Sequence, residues 1–216
     1  MVAIGESEEE TYGLISRLNA WFLNRGTHTY NKLAHHYKKK LLSGLEGSVL
    51  EIGAGTGANF DYYPEALDLW MLEPSPYMRN YLHEKAKEAE QDVHIISGYA
   101  EEIPAPDNRF DAVVTTLVLC TVNDVERSLK EIYRVLKPGG KFHFIEHVAA
   151  SKKSWLRTLQ NGIEPLWKVM ADGCHPNRET GEMIRESQFR DIEIERTRFR
   201  LPIVGPHIIG SAIKPE

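Results

Sequence analysis

Cysteine is scarce in this 216-residue chain, with Cys120 and Cys174 the only two. Two thiols so far apart make no disulfide framework and lack the paired spacing of a zinc site. No metal is therefore expected, and a reducing, cytoplasmic setting is. Two are also too few for the thiolate cluster that arsenite methylation would use. An excess of basic charge is missing too: 26 Lys and Arg against 31 Asp and Glu leave a net charge of −5. That excludes the electropositive footprint of a nucleic-acid binder. No run of 18 apolar residues and no secretory leader occurs, so no membrane-spanning helix is expected.

What stands near the N-terminus instead is amphipathic. After the acidic Glu6, Glu8, Glu9 and Glu10 come Leu14, Ile15, Leu18, Trp21 and Phe22, at spacings of three and four. This describes one helix face. Residues 1–43 are read as a helical lid packed on its own domain, with peripheral contact to a membrane surface as the competing reading. Apolar content of 42% and charged content of 26% are ordinary for a globular protein, and the length suits one domain over residues 1–216.

The most informative stretch runs from Val49 to Phe60: a short apolar strand, Glu51, then Gly53, Gly55 and Gly57 at alternate positions. Glycine is required where backbone approaches a ligand closely or takes positive φ. Glu73 follows at the end of a second apolar stretch, where a carboxylate accepts from both hydroxyls of a ribose. Together these describe a pocket for an adenine nucleoside.

The glycines alone fit two cofactors. Gly53, Gly55 and Ala58 satisfy the dinucleotide fingerprint, whereas Gly53, Gly55 and Gly57 satisfy the acidic-x-G-x-G-x-G run that binds S-adenosylmethionine (SAM). Three features favour SAM. Glu51 precedes the loop, where a carboxylate suits a cationic amino group better than a pyrophosphate. Arg109 to Val114 and Leu136 to Lys141 supply a later strand and a Pro-Gly-Gly turn. The chain is also short for a dinucleotide enzyme with its second half and substrate domain.

Helices are expected over residues 10–24, 27–43, 76–89 and 125–136, with another after the glycine loop that Pro64 cuts short or kinks. Strands are expected at 48–52, 67–72, 93–97, 110–115 and 141–147, and an antiparallel pair at 192–196 and 208–214. The alternation predicts an α/β, Rossmann-like fold. Its seven-stranded sheet is mostly parallel, with helices on both faces and an antiparallel C-terminal edge hairpin. Residues 149–190 read as an insertion over the ligand crevice, forming the substrate pocket with the N-terminal helices.

Strand ends carry the candidate cofactor contacts: Glu51, Gly53, Gly55, Gly57, Asn59, Glu73, Pro74, Tyr99, Ala100, Glu101 and Leu117. After the third strand, backbone of Tyr99 to Glu101 passes the adenine edge. Leu117 approaches the methionine part.

The glycine run, the Glu101-Glu102-Ile103-Pro104 stretch and the Leu136-Lys137-Pro138-Gly139-Gly140 turn resemble the class I SAM methyltransferases. Gly55 to Phe60, Thr116 to Cys120, Glu146 to Ala150, Asp172-Gly173-Cys174 and Pro206-His207-Ile208 are similar, more specifically, to the methyltransferase-like alkyl thiol S-methyltransferases. The likeness spans roughly residues 48–213. It implies methyl transfer from SAM to a small, largely apolar acceptor, with a thiol sulfur as the leading nucleophile. Many members carry Asp where Tyr99 stands, and often Asp at the Glu73 position; members of the thiol branch begin with a hydrophobic anchor.

Alternatives are an O-, N- or C-methyltransferase of a phenol, amine, quinone precursor or lipid headgroup, a nicotinamide-dependent oxidoreductase, and a non-catalytic SAM-binding protein. A thiol needs only deprotonation, and His147, His36 and His175 are candidate bases. Tyr37 and Tyr30 resemble lid tyrosines beside the transferring methyl. Trp155, Trp167 and His175 are read as acceptor-pocket walls, and Cys120 and Cys174 as small buried residues.

Overall fold

A computed structural model describes residues 14–89 and 91–216. The acidic run before Leu14 lies outside the described residues, as do the side chains of Leu14, Ile15, Leu18 and Phe22 from the expected stripe. In chain order the elements are helix α1 (Leu14–Leu42), strand β1 (Ser48–Ile52), a 3-10 turn (Phe60–Tyr62), β2 (Asp68–Leu72), α2 (Pro76–Glu88), β3 (Val93–Ile96) and β4 (Phe110–Thr116). There follow α3 (Val125–Val135), β5 (Leu136–His147), α4 (Trp155–Met170), α5 (Thr180–Arg185), β6 (Arg190–Arg198) and β7 (Pro206–Ile213).

The strands form one seven-stranded sheet in the order β3-β2-β1-β4-β5-β7-β6. The first five run parallel, and β7 joins β5 antiparallel and carries β6 as an antiparallel edge. Every residue of β1 is buried, as expected of a central parallel strand covered on both faces. The edge strand β6 is rich in charge (Arg190, Asp191, Glu193, Glu195, Arg196, Arg198), which blunts an exposed edge against stray pairing.

Local chemistry sets the helix ends. Ser75 caps α2 by accepting from the Met78 N–H, and Pro76 opens it with φ already fixed. Asp124 caps α3 through the Arg127 N–H at 3.0 Å. The buried residues of α3, namely Val125, Ser128, Leu129, Ile132 and Val135, follow the helical repeat. They pack into a core with Phe110, Val113, Phe142, Phe144 and Phe189. A second core holds Leu42, Leu45, Val49, Met71 and Leu82. A third joins Ala34 of α1 to Ile145, Phe199 and Ile209.

Three expectations are corrected. The two N-terminal helices are one: α1 runs 29 residues straight through Gly26. Glycine inside a helix costs about 1 kcal/mol relative to alanine, which the packing of residues 30–42 on the sheet outweighs. No α-helix follows the glycine loop; Asn59 leads into a three-residue 3-10 turn and Pro64 follows it. Pro138-Gly139-Gly140 lies within β5 rather than before it. Leu136 pairs with Phe110 and Lys141 with Ala112, so residues 137–140 bulge out against a single residue of β4.

Among the described residues, no helix is long and apolar enough to cross a membrane.

Candidate active site

The strand order reverses between β1 and β4, so the ligand crevice lies beyond their carboxyl ends. The glycine loop crosses it from the β1 side. Gly53, Gly55 and Gly57 have φ of +64, +58 and +80°, conformations that only glycine adopts freely. A Cβ on Gly53 would sit 2.6 Å from Val118 Cγ2, and one on Gly57 would sit 2.7 Å from Phe60 Cδ2. At Gly55 the nearest atom is the Gly53 carbonyl oxygen, 3.9 Å away. Packing inside the protein therefore requires two of the glycines, and Gly55 borders open space.

Two buried carboxylates frame this loop. Glu73, just past β2, accepts the Gly55 N–H on Oε2 and the Ser75 N–H on Oε1, both at 2.8 Å. Burial pushes its pKa up to about 7, against the pull of those backbone bonds. Glu51 in β1 accepts the Asn59 amide at 2.8 Å and the Tyr63 hydroxyl at 2.9 Å. Burial raises it to about 7 as well.

Asn59 also donates to Thr116 Oγ1 at 3.1 Å, linking the loop to the end of β4. Those donors fix its amide orientation and leave Asn59 Oδ1 buried without a partner. Behind the loop, the enclosed Lys38 of α1 donates to Asn31 Oδ1 at 2.7 Å and to the Ala58 carbonyl at 3.2 Å. Burial lowers Lys38 to about 8, and its charge faces Glu51.

A second group of polar side chains gathers at the ends of β5 and β7. His147 and His207 are partners in the antiparallel ladder, with ring centroids 6.2 Å apart. Tyr30 of α1 lies 5.9 Å from the His207 ring. Glu146 accepts the Val118 N–H at 3.1 Å, and burial raises its pKa. His207 Nδ1 lies 2.9 Å from the Gly205 carbonyl, so that nitrogen is the donor and Nε2 carries the lone pair. The Tyr30 hydroxyl, Glu146 Oε2, His147 Nδ1 and His207 Nε2 are all buried without a partner. Each such group costs free energy unless a ligand or water completes it.

Beside them stands a sulfur cluster. Cys174 Sγ lies 2.9 Å from His147 Nε2 and receives the Trp167 Nε1–H at 3.3 Å. The Cys120 and Cys174 sulfurs and a ring nitrogen of His147 lie within 4.8 Å of one another.

The remaining predicted residues fall in varied places. Leu117 takes φ +59°, a sharp turn at the end of β4 for a non-glycine residue. Pro74 lends its carbonyl to Arg79, and Ala100 is buried. Glu101 Oε1 accepts the Asn123 and Asp124 N–H groups ahead of α3, while Tyr99 is 52% exposed. Tyr37 donates to Thr197 Oγ1 at 3.1 Å on β6, and His36 is exposed beside it. His175 pairs with Glu164 at 2.7 Å. Trp167 reaches the sulfur cluster, and Trp155, 73% exposed, stands on the outer side of α4. The insertion thus sends only part of its predicted wall inward.

A glycine loop open at Gly55, a carboxylate past β2 and an unpartnered amide oxygen suit the cofactor expected from the sequence. A methyltransferase domain family matches residues 50–144. Thiol S-methyltransferase TMT1A of Homo sapiens is 34% identical over 90% of this chain and 85% of its own length. Thiol S-methyltransferase TMT1B of Rattus norvegicus is 40% identical over 78% of this chain and 71% of its own. This chain belongs to the thiol S-methyltransferase family of SAM-dependent methyltransferases.

The fold of this methyltransferase agrees with a crystal structure of a SAM-dependent methyltransferase from Thermotoga maritima. The TM-score is 0.70 at 22% identity, over 93% of this chain and 98% of that one. Asn31, Lys38, Tyr63 and His207 were not singled out as site residues from the sequence. The signal for them is three-dimensional, since α1, the 3-10 turn and β7 converge only after folding.

Proposed function

We propose that this methyltransferase moves the methyl group of SAM to the sulfur of a small, largely apolar thiol. The observation that carries the reading is the set of enclosed polar atoms without partners: Asn59 Oδ1 at the loop, and Glu146 Oε2, His147 Nδ1, His207 Nε2 and the Tyr30 hydroxyl across the crevice. The thiol itself is supported by the names of the relatives.

SAM supplies a methyl group already activated on a sulfonium sulfur, so the chain's task is alignment and exclusion of water. Gly53, Gly55 and Gly57 let the backbone approach the cofactor. Each oxygen of Glu73 keeps a lone pair beyond its backbone bond, enough to accept from two ribose hydroxyls. Asn59 Oδ1 accepts from the cationic amino group, with the charge of Glu51 behind it. Pro74 and the backbone of Tyr99, Ala100 and Glu101 border the adenine, and Leu117 borders the methionine portion. Trp167, Tyr30 and His175 wall the acceptor side. His147 takes the acceptor's proton, while His36 and Tyr37, directed toward solvent and β6, serve the position of α1.

The reading needs neither nucleic acid nor a membrane. The exposed Trp155, Leu166, Val169 and Met170 of α4 would suit a lipid surface, and vesicle co-sedimentation checks that separately. The proposed chemistry is tested by SAM calorimetry followed by transfer to alkyl thiols of increasing chain length. The apparent KM is expected to fall as the chain lengthens. Transfer that is fastest to a short, charged thiol would contradict the apolar acceptor.

A further inference from the structure

The mechanism above leaves unused a buried polar atom beside the proposed base, the sulfur of Cys174. Trp167 Nε1–H reaches it at 3.3 Å, and an indole nitrogen can only donate, so this sulfur accepts. His147 Nε2 lies 2.9 Å away. The Cys120 sulfur, on the loop after β4, stands within 4.8 Å of the same group. Two hydrogen-bonding neighbours from two parts of the chain thus turn toward one buried sulfur. A thiol uses one of these contacts for its own proton, whereas a thiolate accepts both.

The other nitrogen of His147 decides the tautomer. Nδ1 is buried and has no partner. Leaving an N–H orphaned in the interior is costlier and rarer than leaving a lone pair. The proton therefore belongs on Nε2, directed at Cys174, and Nδ1 presents a bare lone pair. A histidine held by an anion on one nitrogen and free on the other has the layout of a catalytic base and its orienting partner.

We propose that Cys174 is held as a thiolate and that Cys174 and His147 form a catalytic dyad, taking the proton of the acceptor thiol at His147 Nδ1. The dyad rests on the thiol reading given above. The acceptor's S–H bond breaks and its proton passes to Nδ1. Its sulfur gains a bond to the methyl carbon as that carbon's bond to the sulfonium sulfur breaks. A neutral thioether and S-adenosylhomocysteine result, and the imidazolium, facing an anion, returns its proton to water when the site opens. Cys174 is the positioning residue of the pair, and His147 touches the acceptor.

The electrostatics agree. Cys120 beside it, then His147 and Trp167, hold Cys174 well below the usual thiol range, while the neighbouring Cys174 and burial push Cys120 up. The Arg178 guanidinium, which donates to the Leu119 and Val122 carbonyls at 2.7 Å, adds a cation near both sulfurs. The other ionisable groups around the pair are Glu146 of β5, Tyr30 of α1, His207 of β7, and Glu164 of α4 with its partner His175. Of these, Glu146 is the rival base, since its Oε2 is equally unpartnered.

The test has two independent readouts on the full-length chain. The first is thiolate ultraviolet absorbance at about pH 6, where a free cysteine with a reference pKa of about 8.5 shows almost none. One thiolate per chain is expected in the wild type and in Glu146→Gln, and none in Cys174→Ser. No signal in the wild type, or a signal that survives Cys174→Ser, overturns the proposal. So does one equivalent of zinc in the purified protein, because metal would occupy the imidazole and both sulfurs.

The second readout is turnover. Cys174→Ser is expected to lower kcat on an alkyl thiol by about 100-fold, the lower end of a general base's contribution, with SAM affinity unchanged. Cys174→Asp, which restores an anion, is expected to recover part of that loss. Unchanged kcat in Cys174→Ser, or no recovery with Asp, contradicts the dyad. If wild type methylates only non-thiol acceptors, the thiol reading fails by itself, and a persisting Cys174 thiolate signal would show that the two failures are separate.

Discussion

Glu73 Oε2 accepts the Gly55 N–H at 2.8 Å, so the carboxylate assigned to the ribose also holds the loop that the cofactor must approach. Binding and loop geometry are thereby tied to one side chain. Glu73→Ala removes charge-assisted bonds to the ligand and strands two backbone N–H groups. The expected loss of SAM affinity is about 30-fold or more, on the order of 2 kcal/mol. A lower Tm without ligand should accompany it. Isothermal calorimetry and thermal unfolding check both, and an affinity within about twofold of wild type would remove Glu73 from the ribose.

The same carboxyl sets a pH dependence. Its pKa is about 7 in the folded chain against an ordinary 4.5. Between those values the folded state keeps a proton that the unfolded state has released. The contribution of Glu73 to stability is therefore full below about pH 4.5 and is lost as pH rises through about 7, on the order of 3 kcal/mol in all. Buried His143 and His207, lowered to about 4, act with the opposite sign over an overlapping range. The prediction thus concerns a difference: the stability of Glu73→Gln minus that of wild type rises from about pH 4.5 to about pH 7. Urea unfolding across that range measures it, and a flat difference would contradict the buried, raised carboxyl.

Substitution along the glycine loop should be graded. Gly53→Ala and Gly57→Ala each combine a left-handed φ with a Cβ closer than 3 Å to a side chain. Gly55→Ala has the φ strain, about 1–2 kcal/mol, without a clash. Chemical denaturation should show Gly55→Ala as the mildest of the three. SAM binding should nevertheless suffer most at Gly55, because its Cβ alone would enter the crevice.

Lys38 makes a fourth test. Its ammonium joins α1 to the loop carbonyl of Ala58 and faces Glu51. Lys38→Met keeps the bulk but leaves Asn31 Oδ1 without its donor and Glu51 without a countercharge. SAM affinity is expected to fall about tenfold, or about 1.4 kcal/mol, by equilibrium dialysis. An unchanged affinity would make Lys38 a fastener of α1 alone.

Much of this was legible in the sequence because it is written locally. Apolar runs of five to seven residues marked β1, β2 and β4, and the periodicity of residues 125–135 marked α3. The acidic residue, three glycines and Glu73 lie within the short span from β1 to just past β2, so the pattern proposed to hold the cofactor was readable before folding. What stayed hidden depends on contacts between distant segments. Gly26 resembled a helix break because the packing of residues 30–42 on the sheet cannot be seen in spacing. Cys120 and Cys174 looked like two unrelated small residues. Only the return of the chain after α4 brings Cys174 against His147, and only the β5–β7 ladder sets His207 beside it. Trp155 and Trp167 were indistinguishable by composition, yet one faces solvent and the other bonds the sulfur.

The most direct measurement of the central claim is methyl transfer from labelled SAM to a mixture of acceptors, with the products identified by mass. The mixture holds an alkyl thiol, hydrogen sulfide, a phenol, a quinol, a primary amine and phosphatidylethanolamine. The predicted result is label in methyl thioether and methanethiol alone. Label found only on an oxygen, nitrogen or carbon acceptor would keep the fold and cofactor and contradict sulfur as the nucleophile.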